Sequence, residues 1–363
     1  MLKIAVINDT VYPFSKGGAQ KRVYEISRRL VQRGHEVHWY GMDYGAKEIE
    51  GIRLHAVCPA YRMYTNEGRR LVSQALRFAL RLRVKDNVDV IDCMNFPYLH
   101  CFGVKLDAVI SNTPLVITWF EFWGKYWHEY SGKLAPVGMM IEKMVTKLPN
   151  MIIADSEKVK SQLVNANVKR NKIRVVPDGV NTRMISQIEP FADKFDVVYA
   201  GRILTHKHVD TLIRAVSGMK DITVAIVGDG ENRMDCEKLS MELGVSNRIK
   251  FFGWVEKDED VFAIMKSSKV LVMPSTQEGH PLVIPEANAC GIPVVGIRDV
   301  CDEFINEGSN GYLTVCHPVP LGGYIARALE MYPTLKDTCL KESKKYDWEL
   351  ITDKVEAVYK EVV

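Results

Sequence analysis

The sequence predicts an α/β protein made of two doubly wound domains, each a parallel sheet covered by helices on both faces. Short β-branched runs alternate with longer segments of helical period along the whole chain. The alternation pauses after VPDGVNTRM and restarts with FDVVYAG, so both halves open with a strand, a glycine and a helix. At 363 residues the chain also exceeds one ordinary core, which favours two domains of about 150 to 200 residues each.

In the first half the expected strands are KIAVIN (3–8), EVHWYG (36–41), IRLHAV (52–57), VDVIDC (88–93), PLVIT (114–118), NMIIA (150–154) and KIRVV (172–176), with helical stretches such as 19–33 between them. The second half offers FDVVYAG (195–201), DITVAIVG (221–228), RIKFFG (248–253), KVLVMP (269–274) and IPVVGI (292–297). The expected boundaries are a first domain at 1–180, a linker at about 181–194 and a second domain at 195–346. In the tail, 347–363, Trp348, Ile351, Val355 and Val358 fall at helical spacing, so a final helix should pack on one or both domains. A ligand is expected in a cleft facing the carboxyl ends of the strands, where such sheets reverse their order.

An apolar fraction of 47% suffices for two cores, and the near-balanced charge of +3 gives no support to nucleic-acid binding by bulk electrostatics. The eight cysteines have no C-x-x-C pair, as expected of buried thiols in a reducing compartment. MLKIAVINDT reads as a first strand instead of a signal peptide, and no run approaches the roughly 18 apolar residues that span a bilayer. A cytoplasmic protein is the expectation.

The stretch QEGHPLVIPEANACGIPVV sets Glu278 and Glu286 at either end of a loop and a helix start. Gly279 lets backbone approach a ligand, and a helix start offers unpaired N–H groups to a phosphate. Gly-His-Pro is equally consistent with a plain turn. GRILTHK adds Arg202 and Lys207 just past the first strand of the same half, two cations suited to a diphosphate or to a solvated surface. SKGGAQKR places Gly17 and Gly18 between the first strand and first helix of the other half. It is not a G-x-G-x-x-G fingerprint.

Together these stretches resemble the retaining GT-B glycosyltransferases, specifically glycosyltransferase family 4. The resemblance runs through GGAQKRVYEISRRLVQRGHEVH, ADSEKVKSQL, VVPDGVN, GRILTHKHVDTLIRAV, AIVGDGE, FFGWV, the E-x7-E stretch and the closing DW…Y helix. It implies a GT-B fold, two Rossmann-like domains facing across a cleft, and transfer of a hexose from a nucleotide-diphosphate sugar to a glycan, lipid-linked or other hydroxyl acceptor. A UDP- or GDP-linked donor is favoured over an ADP-linked one, with no further cofactor. On matching positions, Arg202 and Lys207 would hold the diphosphate, Gly18 beside Gly17 would give it an N–H, and Glu286 would bind the ribose hydroxyls. Glu278 would bind the transferred sugar, while amides near Leu282 and Val283 face the phosphate. Gly228, His280 and Val255 complete the expected donor surface, with backbone from Gly253 to Val255 near the base and Trp254 either there or in the core.

One departure concerns the sugar. Family members commonly carry a histidine where this chain has Phe120, so Glu121 or His128 would have to substitute, or donor choice or activity is altered. His208 stands where many relatives have glycine. WFEFWGKYWHEY (119–130), with Trp123 at its centre, is either an aromatic core under a loop or an acceptor wall. Read as one helix, EGRRLVSQALRFALRLRVK sets Arg70, Arg77 and Arg81 on one face and Leu71, Ala75, Phe78 and Leu82 on another. Such a basic edge is usually solvated; the sharper expectation is peripheral contact with an anionic membrane.

No metal is expected. Asp258-Glu259-Asp260 reads as helix capping, and His206 and His208 lack convincing co-ligands. Besides sugar transfer, a nucleotide-sugar epimerase and a non-catalytic nucleotide-sugar binder stay open, since fold does not fix function. A glycoside hydrolase is disfavoured: eight helical residues offset Glu278 from Glu286 by about 12 Å, beyond the roughly 5 to 9.5 Å of acid/base pairs.

Overall fold

The computed structural model describes residues 1–15, 17–63 and 70–363. The chain divides into two compact units, one comprising Met1–Asp178 with Trp348–Val363 and the other Gly179–Asp347. Each unit is an α/β domain built on a mainly parallel sheet, as the sequence predicts.

The first unit carries eight strands: β1 (Lys3–Ile7), β2 (Glu36–Asp43), β3 (Glu48–Ile49), β4 (Ile52–Pro59), β5 (Val90–Met94), β6 (Leu115–Trp119), β7 (Met151–Ala154) and β8 (Ile173–Val175). Their order is β3-β4-β2-β1-β5-β6-β7-β8, parallel except for the β3–β4 pair. VIDCM, LVITW and MIIA are buried along their whole length, because a sheet covered on both faces asks for continuous apolar runs. Ala5, Ile7, Cys93 and Ile117 fill one side, and Ile4, Val6, Val90 and Val116 the other. β3 was not expected; two residues carry too little periodicity to be read.

The helix Trp348–Val362 belongs to this unit and packs beside the helix Gly18–Gln32. Trp348, Ile351, Val355 and Tyr359 are buried there. Arg29 donates to Glu349 at 2.8 Å, and Arg33 contacts Asp353 at 2.7 Å and Glu356 at 3.0 Å. Deeper in, the Tyr359 hydroxyl donates to Asp92 of β5 at 2.6 Å, and Thr118 Oγ1 donates to the same carboxylate at 2.9 Å.

The basic segment is shorter than its sequence pattern. Its helix spans Val72–Arg81, with Ala75 and Phe78 buried, while residues 64–69 lie outside the described residues. Arg70 therefore does not join Arg77 and Arg81 on a solvated edge. It is buried and ion-paired to Asp9, and that burial lowers its guanidinium to about 10. A periodicity plot cannot see this, because Asp9 is distant in sequence.

The second unit carries β9 (Phe195–Ala200), β10 (Val224–Val227), β11 (Ile249–Gly253), β12 (Ser268–Met273), β13 (Val294–Ile297) and β14 (Gly311–Thr314) in the all-parallel order β11-β10-β9-β12-β13-β14. β14, GYLT, was not read as a strand. The order reverses between β9 and β12, so the loops leaving those two strands emerge side by side.

Residues 181–194, expected as a linker, are fixed into this unit. Thr182–Gln187 is a helix with Ile185 buried, Lys266 Nζ donates to the carbonyls of Ile185 and Ile188 at 2.8 and 2.6 Å, and Phe191 N–H donates to Ala263 O at 2.9 Å. Asp258, Glu259 and Asp260 fall in the first turn of the helix Asp258–Lys266, where they complement its positive end; Lys257 takes the capping position. Seven of the eight cysteines are buried, and all eight are free thiols. Among the described residues no helix is long and apolar enough to cross a membrane.

Candidate functional site

In the second unit, the reversal between β9 and β12 assembles most of the residues singled out in the sequence. The loop after β9 carries Arg202 and Lys207; the loop after β12 carries Glu278, Gly279 and His280. Backbone and side chains stitch the two loops together. Thr276 N–H donates to His206 O at 3.1 Å, and His208 Nε2 lies 2.9 Å from Thr276 Oγ1. Lys207 Nζ then reaches Glu278 Oε1 at 2.5 Å.

That ion pair is shielded, with Lys207 and Glu278 side chains 15% and 16% exposed. Arg202 is exposed, and its guanidinium has no hydrogen-bond partner among the described residues; its carbonyl accepts from Tyr199 at 2.7 Å. Burial, reinforced by the Glu278 carboxylate, pushes the Tyr199 phenol well up. Burial and then the Lys207 charge hold His206 below its ordinary value. His208 adopts a left-handed backbone with φ +51, a conformation glycine takes without cost.

Gly228 acts through packing. Its φ is +132, and a Cβ there would meet the Gly201 carbonyl oxygen at 1.9 Å. The loop after β10 is thereby pressed against the loop that carries Arg202. Val255 packs half-buried against the core, whereas Trp254 is 66% exposed, which removes the core reading of that tryptophan.

Glu286 sits in the helix Val283–Ala289, half-buried, and its charge raises the Cys290 thiol further after burial has done most of that. The Leu282 N–H is spent on His280 O at 2.9 Å, whereas the N–H of Val283, first residue of the helix, has no backbone acceptor among the described residues. The His280 ring stands edge-on to Phe304 with centroids 4.8 Å apart.

In the first unit, Gly17 caps and Gly18 begins the helix Gly18–Gln32. A Cβ on Gly17 would lie 2.3 Å from Gln20 Oε1, the far end of a flexible side chain that can swing aside, so packing alone does not require glycine there. Phe120 is half-buried against the core, Glu121 accepts the indole N–H of Trp123 at 2.7 Å, and His128 is exposed. Trp123 rests among Phe96, Trp127 and Tyr130, with centroids 5.2, 4.8 and 4.5 Å away.

Sequence reasoning missed the residue that organises this aromatic segment. Glu142 is buried and accepts from Tyr98 OH at 2.8 Å, Trp123 N–H at 2.8 Å, Gly124 N–H at 2.9 Å and Trp127 Nε1–H at 3.2 Å. It also missed a buried polar floor. Arg22 donates to Asp178 at 2.7 Å and to the carbonyls of Val176 and Pro177, and Asp155 beside them has its carboxyl pushed well up by burial and then by the Asp178 charge. A charged residue inside a helical pattern, such as Arg22 or Glu142, is the one signal that could have flagged them.

Two family models together match nearly the whole chain: Glycosyltransferase Family 4 over residues 16–184 and Glycosyl transferases group 1 over residues 181–345. An uncharacterized glycosyltransferase of Methanocaldococcus jannaschii is 30% identical over 377 residues, covering 100% of this chain and 99% of that protein. Among solved structures, the sucrose-phosphate synthase from Thermosynechococcus elongatus superposes with a TM-score of 0.82 at 20% identity, over 99% of both chains. Anabaena HepE in complex with UDP superposes with a TM-score of 0.79 at 18% identity, over 99% of this chain and 100% of that one.

Proposed function

This chain belongs to the GT-B glycosyltransferases of the family 4 type, and from that premise we propose that it moves a hexose from a nucleotide-diphosphate sugar to a hydroxyl acceptor with retention of anomeric configuration and without a metal. The observation that carries the reading is the joining of the β9 and β12 loops, which brings Lys207 within 2.5 Å of Glu278 beside an exposed Arg202. A cation, a carboxylate and a second cation on one sheet end suit a ligand with a diphosphate and a polyol.

In this reading the anomeric C–O bond to the diphosphate breaks as the acceptor oxygen bonds to the same face of the sugar carbon. The departing phosphate oxygen takes the acceptor proton. Negative charge grows on the diphosphate, so Arg202, Lys207 and the Val283 N–H stabilise the transition state more than the ground state. Glu286 binds the ribose hydroxyls, Glu278 a hydroxyl of the transferred sugar, and the residues Gly228, Val255, Gly279, His280 and Leu282 shape the donor surface. Gly17 and Gly18 are assigned to the donor as well. The aromatic segment with Phe120, Glu121, Trp123 and His128 is assigned to the acceptor, a glycan or a lipid-linked sugar.

Because HepE holds UDP, a uridine-linked donor is the first to test. Calorimetry with UDP, GDP and ADP, followed by donor-hydrolysis and transfer assays with EDTA present, checks the proposal, and the anomeric coupling constant of the product checks retention. Loss of turnover in EDTA with rescue by a divalent ion would overturn the metal-free part. For a lipid-linked acceptor, the helix Val72–Arg81 presents Val72, Leu76 and Leu80 to solvent together with Arg77 and Arg81. That combination supports peripheral contact with an anionic bilayer, and sedimentation with anionic vesicles but not with neutral ones is the expected result.

A further inference from the structure

Away from the residues assigned to the donor, the first sheet carries a cluster that sugar transfer does not use. β2 and β4 pair in parallel with Tyr40 opposite His55, and His38 lies two residues before Tyr40 on the same face. The His55 ring therefore sits against both neighbours, stacked on Tyr40 with centroids 4.4 Å apart and on His38 at 5.0 Å. Asp86, in the turn before β5, closes the group. Its Oδ2 is 3.7 Å from His38 Nδ1 and 3.6 Å from His55 Nδ1, and it accepts the Tyr40 hydroxyl.

The hydrogen bonds fix where the lone pairs point. Glu36 Oε1 accepts from His38 Nε2 at 2.9 Å and is itself paired with Arg53, so the His38 proton is on Nε2 and its Nδ1 is bare. His55 Nε2 lies 2.8 Å from that nitrogen. Its Nδ1 faces the Asp86 carboxylate at 3.6 Å.

We propose that His38, His55 and Asp86 form a binding site for a divalent transition-metal ion of the Zn2+ class, with one nitrogen from each ring and one carboxylate oxygen as ligands. One such atom from each residue lies within 4.8 Å of the other two. Zn–N and Zn–O bonds of about 2.0 to 2.2 Å put the ligands of one tetrahedral ion about 3.3 Å apart. The contacts of His38 Nδ1 and His55 Nδ1 to Asp86 Oδ2, 3.7 and 3.6 Å, need to close by only a few tenths of an ångström; the 2.8 Å ring-to-ring contact runs to His55 Nε2 and is not one of these ligand distances. Glu36 supplies the carboxylate that a metal-bound histidine uses to hold its other N–H. His38 is 3% exposed, His55 31% and Asp86 35%, so the site is anchored on the sheet yet reachable from solvent.

A cavity of about 700 Å³ is lined by Tyr40, His55 and Asp86 together with Arg81, Arg83 and Lys85. Those cations favour an anion, such as inorganic phosphate, as the remaining ligand. Among the described residues the other cluster of ligand-type side chains, Cys93, His100 and Cys101, is fully buried, and both thiols and His100 Nε2 already converge on the Met94 carbonyl oxygen, at 3.6, 3.8 and 2.8 Å.

The test uses full-length protein without a histidine tag, loaded with Zn2+ or Co2+ and passed through gel filtration. One metal per chain should be retained by elemental analysis. The Co2+ form should show visible d–d bands of a low-coordinate ion without thiolate charge transfer. His55→Ala and Asp86→Asn, folded by circular dichroism, should each lose retention, and Glu36→Gln should weaken affinity about ten-fold. Absence of retained metal in the wild type, retention unchanged in both H55A and D86N, or a thiolate band would overturn the site. Donor binding and transfer are separate readouts, so their failure leaves this result intact.

Discussion

Lys207 Nζ lies 2.5 Å from Glu278 Oε1, although 71 residues separate the two in sequence. The pair neutralises itself in the absence of substrate, so an arriving diphosphate meets Arg202 as the uncommitted cation and must share Lys207 with Glu278. Glu278→Gln is accordingly expected to tighten binding of a bare nucleoside diphosphate several-fold while lowering transfer, because the sugar loses its carboxylate. Calorimetry and kcat measured on the same variant check both halves.

Lys207→Ala is expected to lower kcat by about 100- to 1000-fold with a much smaller change in donor KM, as for removal of one group that stabilises developing charge. Steady-state kinetics at saturating acceptor decide it, and a change confined to KM would assign Lys207 to ground-state binding.

Glu286→Ala is expected to weaken donor binding about ten-fold or more through loss of charge-assisted hydrogen bonds to the ribose. Comparing the nucleotide with its 2′-deoxy analogue provides the control. The variant should no longer distinguish the two.

Gly228→Ala is expected to destabilise the second unit by about 1 to 3 kcal/mol or more from backbone strain alone, since φ is +132 and the new Cβ would sit 1.9 Å from the Gly201 carbonyl oxygen. The readout is urea denaturation. Glu142→Gln, in the first unit, should cost about 3 kcal/mol, because an amide cannot accept at both of its heavy atoms the four donors that converge there. Loss of near-ultraviolet circular dichroism from the tryptophans would report it.

The junction of the helices Gly18–Gln32 and Trp348–Val362 should be acid-labile. Glu356, held by Lys360 above all and then by Arg33, has its carboxyl lowered to about 2, and Glu349 is lowered by Arg33 and Arg29 against the cost of burial. A carboxylate whose folded value is depressed contributes stability above its unfolded value of about 4.3 that is lost as pH falls through the folded one. Stability should therefore drop between about pH 5 and pH 2. Glu356→Gln should flatten that slope in urea titrations run at successive pH values.

Alternating strand and helix patterns determined by themselves that the chain folds as two parallel-sheet units, and all twelve strands expected from them are present. Two strands escaped: Glu48–Ile49, two residues in which no period can be read, and Gly311–Thr314, whose GYLT opens on a glycine and holds a single β-branched residue. Arg202, Lys207, Glu278 and Glu286 were legible as charged residues next to glycines and strand ends. Only the tertiary structure decided that Lys207 pairs with Glu278, that Arg70 is buried on Asp9, that Gly228 serves close packing, and that His38, His55 and Asp86 meet. Each of those is a contact between chain segments brought together by strand order, and pairing across a sheet is a long-range property that local periodicity does not encode.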